Sequence, residues 1–137
     1  MNIFSNLILT SSVITLLIGC KATPKMDPLE HQAMTIKNVN VTGIADHLPG
    51  FDVYKQQGCN ACHGEKLEGG LKGPPIIFAL YSPSSHSDAR LDKSIRQGVK
   101  QDHWYFGDMP GYPDMSKQDM KQLINFINTS LKMNDFF

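Results

Sequence analysis

The spacing of apolar positions divides the chain into stretches, and each period predicts an element. From Ser116 onward, Met120, Leu123, Ile124, Ile127 and Leu131 recur three and four apart, which predicts an amphipathic helix with one stripe to bury. Ser116 and Asp119 form a near capping box at its start. Leu91 and Ile95, four apart, predict a shorter helix over Ser87 to Gln97, stopped at Gly98. Phe51 and Tyr54, three apart, predict another over Gly50 to Gln57, closed by Gly58. No strand ladder emerges, because Val39 and Val41 are two apart but stand alone. Between Gly64 and Ser85, Gly69, Gly70, Gly73, Pro74, Pro75 and Pro83 interrupt any regular element and predict loop wrapped around something. The pattern is that of an all-α domain over 48–137, with three to five helices and too little core to be comfortable without a large apolar filling.

The first stretch is different. Met1 to Gly19 carries no charged side chain and runs through Ile8, Leu9, Val13, Ile14, Leu16, Leu17 and Ile18, a run too short to span a bilayer comfortably. It reads as an export signal over 1–19, although only the terminal amine supplies early positive charge. Leu17-Ile18-Gly19-Cys20 resembles the lipobox of bacterial lipoproteins, and the resemblance implies a lipidated Cys20 as the first mature residue. An uncleaved apolar anchor is the other reading of the same run. Residues 20–47 are polar and mixed, with Pro24, Pro28, Asn38, Asn40 and Gly43 and no sustained period, so they read as a lipid-anchored tether with a span of roughly 30 Å.

Charge narrows the partners. Lysine plus arginine total 13 and aspartate plus glutamate 13, so nothing suggests a nucleic-acid footprint or strong electrostatic steering. Export places the rest of the chain in an oxidising compartment, where Cys59 and Cys62 must be explained by each other or by a cofactor.

Their context is Cys59-Asn60-Ala61-Cys62-His63, the C-x-x-C-H signature in which two thiols add to haem vinyl groups and the adjacent imidazole ligates iron. Cysteines three apart on a helical turn project toward one edge of a porphyrin, and the next residue is carried beneath the metal. A structural zinc site wants four nitrogen or sulfur ligands, and no second cysteine pair supplies them. A thioredoxin-like pair wants a preceding strand and a βαβ setting, whereas a helix precedes this motif. A plain disulfide remains open, but it leaves the rest of the domain unexplained.

From Gly50 to Leu131 the chain resembles the class I cytochrome c family. Gly50, Tyr54 and Gly58 stand as in the family's first helix, and Phe126 stands where an aromatic of the last helix packs on it. Gly73-Pro74 matches the glycine-proline pair after the haem motif, which implies that the Pro74 carbonyl accepts a hydrogen bond from His63. Met109-Pro110-Gly111 matches the segment that supplies the sixth ligand, which implies iron held between His63 and Met109. Such a pair raises the potential and closes the face where oxygen would bind. Trp104, Tyr105 and Phe106 are expected to wall the pocket or simply to pack.

Other candidates receive plainer roles. His31 and His47 fall in or beside the tether, His86 lies in a serine-rich loop, and His103 reads as a solvent-facing loop residue. Met120 belongs to the last helix's apolar stripe, and Met115, just before Ser116, reads as a hydrophobic staple.

The expectation is a small cytochrome c fold around one haem c, bound through Cys59 and Cys62 and ligated by His63 and Met109. It would be a monohaem electron carrier, not an enzyme, anchored through Cys20 on the periplasmic or extracytoplasmic side and passing single electrons between redox proteins. Two alternatives stand beside it: a haem-based sensor with a weak sixth ligand, and a dedicated subunit of a larger oxidoreductase.

Overall fold

The computed structural model describes residues 39–137 together with Leu29, Glu30 and Lys37. The export-signal and Cys20 expectations, and most of the tether, lie outside the described residues.

Among the described residues 39–137 four helices and one 3-10 turn form, with no strand beyond the isolated antiparallel bridge Val99–Met109. Helix α1 spans Pro49–Gln56, and its proline sits at the first turn, where a missing N–H costs nothing. Helix α2 is a single turn, Asn60–His63. The 3-10 turn Ala79–Tyr81 follows the loop, and α3 runs Asp88–Gln97, with the Ser87 hydroxyl capping Arg90 N–H and Gly98 ending the helix at φ +74°. Helix α4, Lys117–Met133, is capped by Ser116, whose Oγ accepts from Asp119 N–H at 3.0 Å.

The core is organised by the crossing of α1 on α4. Gly50 makes the contact possible: a Cβ there would lie 2.0 Å from the Gln122 carbonyl oxygen and 2.7 Å from Phe126 Cβ. With no side chain at the crossing, the rings of Phe51 and Tyr54 pack at 5.6 and 5.5 Å from that of Phe126, in tilted arrangements aromatic pairs favour. Helix α3 turns Leu91 and Ile95 to the same interior, where Met120, Leu123, Ile124, Ile127 and Leu131 of α4 are buried. Met115 is buried there as well, before the cap and alongside Met120.

The packed part begins upstream of Leu48, and here the structure departs from the tether expectation for 20–47. Residues 42–45 form a strap on α4: Thr42 N–H donates to Asn134 Oδ1 at 2.8 Å, Ala45 N–H donates to the buried Ser130 Oγ at 3.0 Å, and Asn134 Nδ2 donates to the Gly43 carbonyl at 2.7 Å. Ala45 is fully buried. The strap has no apolar period because side chains from the far end of the chain satisfy its backbone.

Candidate functional site

Cysteine 59 caps α2, and the turn closes through Cys62 N–H and His63 N–H, which both donate to the Cys59 carbonyl at 3.2 and 2.9 Å. Both thiols are free and half-buried. Burial, reinforced by Cys62 and opposed by a local backbone hydrogen bond, pushes the Cys59 thiol up to about 11. That is opposite to the depressed value of a reactive redox cysteine.

The motif is held from two sides. Tyr54, buried under α4, donates its hydroxyl to the Gly64 carbonyl at 2.6 Å, and burial keeps that phenol protonated by raising its pKa. On the other side the chain returns at Gly73, where a Cβ would lie 2.9 Å from the Cys62 carbonyl oxygen and 3.0 Å from Cys62 Cβ. Only glycine permits that approach, and it delivers the next residue to its place. The His63 Nδ1–H donates to the Pro74 carbonyl at 2.8 Å. A carbonyl can only accept, so Nδ1 carries the proton and Nε2 keeps its lone pair. Burial lowers the His63 proton affinity while the Pro74 carbonyl works against it, and the net effect favours the neutral ring a metal requires.

Met109 is positioned by a different set of bonds. Val99 and Met109 exchange both backbone hydrogen bonds, at 3.1 and 2.9 Å, and Tyr112 N–H donates to the Ile95 carbonyl at 2.9 Å. Arg96, paired with Asp92, reaches the Met115 carbonyl at 2.7 Å. The Met109 loop is thereby tied at its base to the end of α3.

These elements surround one cavity, with about 1110 Å³ of space including its solvent-open mouth, which His63, Cys59 and Met109 all line. Ile76, Leu91, Ile95, Leu123 and Ile127 make its walls predominantly apolar. Trp104 and Phe106 also line it, with Trp104 Nε1 donating to the Tyr81 hydroxyl at 3.2 Å, whereas Tyr105 stands half exposed outside. Met115 and Met120 lie in the core and do not line the cavity. No group of three or more histidine, cysteine, aspartate or glutamate side chains able to hold a bare metal ion exists among the described residues. A large flat apolar cofactor with one metal fits this donor set: two thiols on one turn, an imidazole with a free nitrogen, a thioether and an apolar wall.

His103 lies half exposed beside Asp102 at the cavity, as a loop residue would. His86 corrects the expectation made from its serine-rich surroundings. It is only 7% exposed, its Nδ1–H donates to the Leu80 carbonyl at 2.7 Å, its ring lies 5.2 Å from that of Tyr81, and it lines the cavity. No periodic pattern marks it in the sequence, because a turn and not a helix brings it inward.

The cytochrome c family model matches residues 48–130. Over 77 residues, 56% of the chain, the sequence is 32% identical to the menaquinol:cytochrome c reductase cytochrome c subunit of Bacillus subtilis (strain 168), and the match spans 29% of that relative's length. No solved structure matches the chain. With the family model covering more than half of its length, the chain belongs to the cytochrome c family, binding haem c covalently and serving in electron transfer.

Proposed function

We propose that this cytochrome is a monohaem electron carrier, without catalysis of its own, in which Cys59 and Cys62 would hold the haem and His63 and Met109 would ligate its iron. The observation that carries this reading is the shared cavity: His63, with Nε2 left free by the Pro74 bond, and Met109, on a loop pinned to α3, line the same apolar space. When bound, the haem supplies a one-electron couple. The protein residues orient the imidazole, aim a soft neutral thioether and exclude water with Ile76, Leu123, Ile127, Trp104 and Phe106. Ligation by Met109 would leave no vacancy for a gas, which argues against a sensor.

Attachment is tested on the denatured protein. Haem stain is expected to follow the band of wild-type protein made with a working attachment system and to vanish when Cys59 and Cys62 are both replaced by serine. An unstained wild type rejects covalent attachment at this motif. An optical redox titration with and without carbon monoxide tests ligation: a resistant spectrum supports the carrier, and ready binding supports the sensor.

The lipobox-like run ending at Cys20 supports export and a lipid anchor, with the haem domain on the extracytoplasmic side of a membrane. Service as a fixed oxidoreductase subunit is favoured by one observation, the likeness to a subunit of a menaquinol:cytochrome c reductase. Copurification with a membrane complex under mild detergent separates that role from free exchange of electrons between redox proteins.

A further inference from the structure

His63 and His86 share one arrangement. In each, Nδ1–H is bound to a backbone carbonyl, of Pro74 at 2.8 Å and of Leu80 at 2.7 Å, so each keeps its lone pair on Nε2. Iron accounts for that lone pair in His63. Nothing in the electron-transfer reading accounts for it in His86, a buried ring lining the same cavity.

The seat of His86 is built. Its amide donates to the Ser82 carbonyl at 2.7 Å, its ring packs on Tyr81, and the Tyr81 hydroxyl accepts from Trp104 across the cavity wall. Held at both its amide and Nδ1, the ring offers Nε2 as its remaining proton site.

We propose that His86 takes up a proton when the protein takes up an electron, so that the two are carried together. This rests on the haem iron lying in the cavity under His63 and Met109. The cause is Coulombic: an added electron makes the centre more negative, and a cation in the cavity wall gains from it in a medium that screens weakly. The groups that face His86 set the starting point. Burial, the Arg90 guanidinium from α3 and His103 from the loop before Met109 all oppose a proton on His86, while the Leu80 carbonyl favours it. Asp102 lies beside His103 at 3.4 Å, and Tyr81 is held neutral by burial. These groups together lower the proton affinity of His86, and an added electron would act against them. The step balances as one electron from the donor and one proton from solvent, which bonds to Nε2 on reduction and returns to solvent on reoxidation.

The test is the reduction potential of the haem-loaded protein between about pH 5 and pH 8, the range in which histidine responds. The potential is expected to fall as pH rises, by about 59 mV for each tenfold difference in proton affinity between the oxidation states. His86→Gln, with an amide that cannot titrate, is expected to flatten the profile while leaving the axial-ligand spectrum and carbon monoxide resistance unchanged. His103→Asn is expected to keep the slope. Ring titration of wild type by nuclear magnetic resonance in both oxidation states reads the same quantity without a variant, and the reduced protein should show the higher proton affinity at His86. A flat wild-type profile, a slope that survives His86→Gln, or a slope lost in His103→Asn overturns the assignment. A changed axial spectrum in His86→Gln also overturns it and makes His86 an iron ligand. Failure of the Met109 reading is distinguishable, because it shows as carbon monoxide binding in wild type.

Discussion

Each of the three methionines near the site has a different surrounding, and each surrounding predicts a different consequence of truncation. Met109 lines the cavity and holds no place in the buried core, whereas Met115 and Met120 are 7% and 2% exposed within it. Met109→Ala is expected to keep the covalent haem, lower the reduction potential, remove the sulfur-to-iron optical band and admit carbon monoxide. Met115→Ala is expected to retain that band and to lose about 2–5 kcal/mol of stability through the cavity it leaves, read from denaturant unfolding. If the band is lost with Met115 and kept without Met109, the ligand assignment moves. His86 makes a pH prediction whose sign follows from burial. Its proton affinity in the folded state lies below the ordinary value of 6.5, so the unfolded chain binds more protons at acid pH. The contribution of neutral His86 is complete above about pH 6.5 and is lost as pH falls toward the folded value. The unfolding midpoint should therefore drop less between neutral and mildly acidic pH in His86→Gln than in wild type.

At the scale of elements, the α1–α4 crossing depends on what Gly50 lacks. Gly50→Ala places a methyl group against the Gln122 carbonyl and Phe126 and is expected to cost about 1–3 kcal/mol, or more if the helices separate, seen as a lowered thermal midpoint. The strap depends on Asn134, which bonds Thr42, Gly43 and Ser130 at once. Asn134→Ala is expected to release residues 42–45, with hydrogen exchange at the Thr42 amide accelerating well before the α4 core, at a cost of roughly 0.5–1.5 kcal/mol per bond. These two contacts mark what the sequence can carry. The helices were legible because their apolar positions and caps lie within a few residues of one another: α1 and α3 fall within a residue of their expected bounds, and α4 starts directly after the expected cap Ser116. The haem motif is equally local, since its five residues are contiguous. The strap was not legible, because Thr42 and Ala45 find their partners 92 and 85 positions away, and a polar stretch satisfied from a distance looks like a connector. His86 was hidden for the same reason: its inward turn is set by bonds to Leu80 and Ser82, residues with no period to betray them.

For the whole molecule the question is how a small, nearly uncharged domain meets its partners often enough. With 13 basic and 13 acidic side chains, the chain as a whole has little long-range field to steer encounter, and redox encounters bury little area. Association without steering is slow, and confinement near the partner is the remaining means of raising its rate. Lipidation at Cys20 would provide that confinement, and the strap gives it a mechanical end point, since Thr42 is bonded to the C-terminal end of α4. A lipid on Cys20 would act through the residues that lead to Thr42 at α4, whereas the cavity is built from the turns and loops at Cys59–His63, Pro74 and Val99–Met109. Anchoring through Cys20 would use a different part of the molecule from the haem cavity, so the two should separate cleanly in a variant. Cys20→Ala is expected to move the haem domain from the membrane to the soluble exported fraction, with its optical spectrum and potential unchanged. Electron delivery to a membrane-bound partner should fall in that variant and recover as soluble protein is added. Mass spectrometry of wild type should find acylated Cys20 at the mature end. A Cys20→Ala protein that stays in the membrane with residues 1–19 still attached overturns the lipid anchor in favour of an uncleaved apolar one, while a released protein with an altered spectrum shows that the anchor and the haem site are coupled after all.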